Sequence, residues 1–163
     1  PGEFVVVRQF VDRTKCREDT FFDGPEVNHP TAADPYCPQL SDLAVAACKQ
    51  QGVSVHDHGT VVVINGPRFS TRAESQWFSK MGWNVINMTQ YPEQMLAREL
   101  GICYAGIALV TDYDVGFEGV PPVSHEEVMA VFKKNNEKLK GVLEKVVASI
   151  PEEKTCSCSK PLG

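Results

Sequence analysis

Two carboxylates, Asp112 and Asp114, close an apolar run in the stretch "TDYD". A second run, "TVVVI", leads straight into "NGPRFST", and a third ends in "NMTQ". The chemistry open to the aspartates depends on burial. An exposed pair is solvated or caps a turn. An enclosed pair cannot ionise twice cheaply, so one member is pushed up in pKa and becomes a proton donor. Such a donor suits a leaving group that gains negative charge, for example a purine nitrogen. Polar residues at strand ends are common, so each stretch alone says little, and three on one sheet edge would mark a pocket.

The elements that must carry these residues alternate between strand and helix. Residues 4–10 form an apolar run that reads as a buried strand. Residues 12–38 are polar and rich in Gly and Pro, a long loop of the kind that is functional or disordered. Pro38 opens a helix to about Gln51 that Gly52 closes. Strands are expected over 53–64, 85–88 and 102–110, and helices over 71–81 and 92–100. Residues 124–149 read as an amphipathic helix with a capping box at Ser124 and Glu127. Its apolar stripe would be Val128, Val131, Phe132, Leu139, Val142, Leu143, Val146 and Val147. The fold class that follows is α/β, a largely central sheet flanked by helices and covered on two faces.

The 163 residues suit one domain, here 1–163 with a Cys-x-Cys tail over 152–163. A net charge of -5 and a pI near 5.4 disfavour a generic nucleic-acid surface, and no apolar run approaches membrane length. No leader is visible, so the expected compartment is cytoplasmic. The chain opens without Met directly at a strand-like run, as if cut from something longer. Cys16, Cys37, Cys48 and Cys103 lie without metal spacing and read as buried or reduced thiols, so no metal is expected. His56 to His58, "HDH", reads as a solvated turn.

Long segments carry a family likeness: "GTVVVINGPRFSTRAES", "VINMTQYPEQMLARELGICYAGIALVTDYDV", "QFVDRT" and "FFDGPEVNHPTAADPYCP". Together they resemble 5'-methylthioadenosine phosphorylases of the trimeric purine nucleoside phosphorylase group over nearly the whole chain. The resemblance implies a purine nucleoside phosphorylase-like fold with a central mixed sheet, here without its N-terminal part. It also implies attack of phosphate on C1' of 5'-methylthioadenosine, with adenosine as a second substrate, releasing adenine and a pentose 1-phosphate. A purine nucleoside phosphorylase with broader or 6-oxopurine preference, or a silent nucleoside-binding fragment, are the alternatives. No cofactor is implied beyond phosphate as co-substrate.

On that likeness Phe69 packs on the base or ribose, and Ser70 stands beside the base. Ile86, Asn87, Met88 and Thr111 line base and sugar, and Thr89 contacts phosphate. Asp112 and Asp114 address N7 and the 6-amino group, where 6-oxopurine enzymes carry Asn. His125, Val128 and Met129 border the 5' group, and His29 reaches the 5' end of a neighbour's substrate. That implies a homotrimer with shared sites, and neither nucleic acid nor membrane as partner. The family's Gly-rich phosphate loop, its Arg-His pair and its small-residue loop are not among these residues. The end "CSCSKPLG" resembles the tail of archaeal members, where a Cys156–Cys158 disulfide would be strained and reducible.

Overall fold

A computed structural model describes residues 1–115, 119 and 124–160. Tail residues 161–163 therefore lie outside the described residues. The elements in chain order are β1 (Phe4–Arg13), α1 (Pro38–Gln50), β2 (Val55–Ile64), α2 (Arg72–Lys80), β3 (Val85–Asn87), α3 (Gln90–Glu99), β4 (Gly106–Leu109) and α4 (His125–Ala148). The sheet order is β3-β2-β1-β4. β1 pairs parallel with β2 and antiparallel with β4, and β2 pairs parallel with β3, so the expected mixed sheet is present.

Successive side chains of a strand point to opposite faces. Phe4 and Val6 meet α1 and α4, where Ala44, Val45, Ala47, Cys48 and Val142 close one side of the core. Val7, Val61 and Val63 meet Tyr36, with Tyr91 and Tyr104 beside them. The rest of that second side, around Val5, opens into a cleft. One face of the sheet thus packs against α1 and α4, and the other is only partly covered.

Several boundaries differ from the sequence expectation. β1 runs on to Arg13 because its pairing with β2 continues through Arg13 and Ile64. β4 begins only at Gly106, and "HDH" lies inside β2, exposed, with His56 Nε2 2.7 Å from Glu3 Oε2. Thr89 precedes α3, whose second residue Tyr91 is extended, so regular helix begins at Pro92 as expected. On α4 the stripe is narrower than its apolar composition. Val142 and the polar Asn135 are buried, whereas Phe132, Leu143 and Val147 are exposed. Ser124 accepts from the Glu127 amide, but no bond from the Glu127 side chain back to Ser124 completes a box among the described residues.

The long segment 14–37 is tied down by polar bonds. Arg17 donates to the carbonyls of Tyr91, Ile64 and Asn65. Thr20 and the Phe21 amide donate to Glu99, each at 2.8 Å, and Arg98 donates to Thr31 and Asp34. The cysteines are not scattered in space: Cys37, Cys103, Cys156 and Cys158 gather where α1, the approach to β4 and the tail meet. All six are free thiols, with no Cys156–Cys158 bond. No described helix is long and apolar enough to cross a membrane.

Between the two register shifts of β1 on β2, Gly59 sits against Val5. A Cβ on Gly59 would lie 2.4 Å from Val5 Cγ1, far inside contact distance. Gly59→Ala should cost about 1–3 kcal/mol, the usual size of an overpacked core site. Val5→Ala should recover part of that loss in the double variant, read by urea denaturation. Strictly additive losses would mean that the Val5 contact is not the constraint.

Candidate active site

The cleft encloses about 1060 Å³ across the second face of the sheet. This is not the arrangement expected from strand ends alone. β2 and β3 are parallel to β1, and their carboxyl ends, Ile64 and Asn87, lie beside the carboxyl end of β1. β4 is antiparallel, with Leu109 paired to Phe4, so "TDYD" leaves the sheet at the opposite end. The three motifs therefore do not converge on one edge. They meet because the cleft runs along the sheet and α2 lies beside it, with Ser75, Gln76, Phe78, Ser79 and Lys80 in the wall.

The start of α2 shapes the "GPRFST" stretch. Thr71 accepts from the Glu74 amide at 3.2 Å, and Glu74 Oε2 accepts from the Thr71 amide at 2.7 Å, a complete capping box. Arg68 adds a two-pronged ion pair to the same carboxylate, both contacts at 2.7 Å. Hydrogen bonding from Arg68 and then Thr71 holds the Glu74 carboxyl down, at about 2. Phe69 and Ser70 are presented between these anchors. Phe69 is exposed at the cleft, while Ser70 is buried and its hydroxyl has no protein partner. Gly66 has φ +66°, and a Cβ there would stand 2.6 Å from Met88 Sδ. The positive φ favours glycine here, and any Cβ would also push the Met88 side chain aside.

The carboxylates are held by a short polar chain. Thr111 Oγ1 donates to Asp112 Oδ2 at 2.6 Å, and the Asp114 amide donates to Asp112 Oδ1 at 2.8 Å. Ser75 Oγ donates to Asp114 Oδ2. Asp114 has φ 57°, a conformation that Asp tolerates when its backbone is bonded to a nearby side chain. Both groups are half-buried and act here as acceptors. A carboxylate retains lone pairs beyond these bonds, so each can accept from a ligand N–H. Asn87 Oδ1 is another buried acceptor without a protein partner.

Of the sequence-predicted site residues, Phe69, Ser70, Ile86, Asn87, Met88, Thr111, Asp112, Asp114 and Val128 line the cleft. Thr89, His125, Met129 and His29 do not. Thr89 is exposed before α3 and its side chain makes no capping bond. His125 and Met129 are exposed on the first turns of α4, where Val128 turns inward. His29 is exposed in the 14–37 segment. Sequence reading missed Ser75, the buried hydroxyl that holds Asp114, and the Arg68–Glu74 clamp. The Thr71-x-x-Glu74 spacing was the available signal for the clamp; nothing local marks Ser75.

Fold and cleft define an α/β domain with a mostly apolar, carboxylate-bearing pocket laid along a mixed sheet. The Phosphorylase superfamily model matches residues 1–148, and the chain belongs to that family. It is 49% identical over 162 residues to S-methyl-5'-thioadenosine phosphorylase of Pyrococcus abyssi, covering 99% of this chain and 62% of that protein. It is 47% identical over 173 residues to purine nucleoside phosphorylase of Streptomyces coelicolor, covering 100% of this chain and 62% of that one. Among solved structures, methylthioadenosine phosphorylase from Schistosoma mansoni in complex with adenine superposes with a TM-score of 0.89 at 36% identity. That match covers 94% of this chain and 61% of the other. The chain thus spans about three-fifths of the length of these relatives.

The clamp yields a pH-dependent expectation. A carboxyl held below its ordinary value of 4.5 stabilises the fold above that pH, and the contribution is lost as pH falls through about 2. Glu74→Gln should therefore lower the melting temperature at pH 7, with the difference shrinking below pH 4.5 and vanishing near pH 2. Thr71→Ala, which removes the neutral half of the cap, should cost about 1 kcal/mol at every pH. A Glu74→Gln deficit that persists unchanged at pH 2 would contradict the ion-pair origin.

Proposed function

We propose that this chain supplies the base- and ribose-binding part of a phosphorylase that converts 5'-methylthioadenosine, and also adenosine, to adenine and the pentose 1-phosphate. The observation that carries the reading is the pair Asp112 and Asp114, fixed by Thr111 and Ser75 at the wall of the cleft. Its acceptors match the 6-amino group of adenine, a donor, and would repel the oxygen of a 6-oxopurine. One relative is named for 5'-methylthioadenosine and another for purine nucleosides in general, which leaves base choice to these two residues.

In the proposed reaction a phosphate oxygen forms a bond to C1' as the C1'–N9 bond breaks, and its electron pair moves into the purine. The purine ring gains negative charge and takes a proton from solvent at N7. Asp112 or Asp114 stabilises that N7–H as an acceptor while the other accepts from the 6-amino group. Phe69 and Met88 flank the flat base and the sugar. Val128 gives the 5' end an apolar neighbour, which suits a methylthio group. Thr89, at the start of α3, is the proposed phosphate contact from this chain, and phosphate is the co-substrate. The proposed assembly is a cytoplasmic homotrimer in which His29 reaches a neighbour's 5' subsite.

Asp112→Asn tests the base reading, because an amide both donates and accepts. kcat/KM for 5'-methylthioadenosine should fall roughly a hundredfold, about 3 kcal/mol of transition-state stabilisation. Activity on inosine should rise relative to adenosine. Phosphate-dependent release of adenine and hypoxanthine, followed side by side, reads both changes, and unchanged kinetics on both bases would refute the role.

A further inference from the structure

The four thiols Cys37, Cys103, Cys156 and Cys158 lie outside the cleft, and the proposed reaction makes no use of them. Their sulfurs all fall within 4.8 Å of one another, with Cys103 and Cys156 at 3.5 Å. They come from three separate parts of the chain. Cys37 is the N-cap of α1, Cys103 precedes β4, and the other two belong to the tail beyond α4. The sulfurs form one four-cornered cluster rather than two separated pairs. A Zn–S bond of about 2.3 Å places the corners of a tetrahedron roughly 3.8 Å apart, within the spread found here.

The surroundings keep the cluster in place. The Cys37 amide donates to the Tyr104 carbonyl at 2.8 Å, joining the start of α1 to the approach of β4. Gln39 grips the tail, accepting from the Thr155 amide at 3.2 Å and donating to the Glu153 carbonyl at 3.4 Å. The tail then passes over Gly101, where a Cβ would lie 3.5 Å from the Cys158 carbonyl oxygen and the Ser159 Cα. The Leu40 amide points at the Cys37 sulfur at 3.5 Å. A backbone N–H aimed at sulfur is the kind of outer support that thiolate metal sites use. Cys37 and Cys158 are buried, whereas Cys156 borders a shallow surface hollow that offers a way in.

We propose that Cys37, Cys103, Cys156 and Cys158 form a tetrathiolate site for Zn(II), which fastens the C-terminal tail to α1 and β4. Four thiolates without nitrogen or oxygen ligands select a soft or borderline metal, and a closed tetrahedron leaves no open position for chemistry. The site is therefore structural. Binding takes up one Zn(II) and releases the protons of those sulfurs that are still thiols. Sequence spacing pointed away from zinc because Cys37 and Cys103 meet the tail only in three dimensions.

The test uses the protein purified under a phosphine reductant without added metal, then reconstituted with Zn(II) and, separately, with Co(II). Metal analysis should give about one zinc per chain, and the Co(II) form should show sulfur-to-metal charge transfer with tetrahedral d–d bands. Cys37→Ser and Cys158→Ser should each lower zinc affinity at least tenfold, while Cys48→Ser, a buried cysteine elsewhere, should not. Should Cys37→Ser fail to fold, Cys156→Ser in the tail gives the same readout. Chelation should expose the tail to limited proteolysis. A reduced protein that takes up no zinc overturns the site, whether its thiols titrate as free or map as disulfides. Zinc uptake indifferent to serine at Cys37, Cys156 and Cys158 overturns it equally.

Discussion

Everything at the cleft depends on β1 being bonded parallel to one neighbour and antiparallel to the other. The antiparallel side sends Asp112 and Asp114 out at one end of the sheet. The parallel side sends Gly66 to Ser70 and Asn87 to Thr89 out at the other. A parallel pair such as β2 and β3 needs a crossover, because the chain must return to the starting end. The returning element is α2, about 13 Å long at the usual rise of a helix. Its return path carries Ser75 away from the "GPRFST" turn towards the carboxylates. The hydrogen bond from Ser75 to Asp114 spans the two halves of the site.

That crossover also explains why so much polar bonding is concentrated before α2. The orientation of a short helix is set by how its first turn is fixed, and here Thr71, Glu74 and Arg68 fix it together. Gly66 lets the preceding turn touch Met88, and Arg17 holds the end of β2 through the carbonyls of Ile64 and Asn65. Phe69 and Ser70 stand between two anchored points. The hydroxyl of Ser70 and the amide oxygen of Asn87 lack protein partners, and such groups are costly unless a ligand or water satisfies them.

The elements themselves were legible from the chain. Apolar runs, Gly and Pro punctuation and caps placed the four strands and four helices among the described residues, because those signals are local. Strand direction was not legible. Residues 106–109 read the same whether they pair parallel or antiparallel, so the opposite exit of "TDYD" could not be foreseen. The motif residues on the cleft were found through long, specific likenesses, and most of them do line it. On α4 Val128 borders the cleft while His125 and Met129 stay exposed, because neighbouring positions of a helix face different ways. Phe132, Leu143 and Val147 look like core by periodicity but stay exposed on α4. The cysteine cluster escaped notice for the same reason as Ser75: its members are distant in sequence, and only packing unites them.

The central claim is that two carboxylates held as acceptors choose an amino purine over a 6-oxopurine. Trp83 lines the same cleft, so its fluorescence can report occupancy directly. Titration of the protein with adenine and with hypoxanthine, in the presence of phosphate, separates base recognition from turnover. The account predicts that adenine binds at least tenfold more tightly, because hypoxanthine sets a lone pair against a carboxylate where adenine offers an N–H. Equal affinity for the two bases, or tighter binding of hypoxanthine, would contradict it.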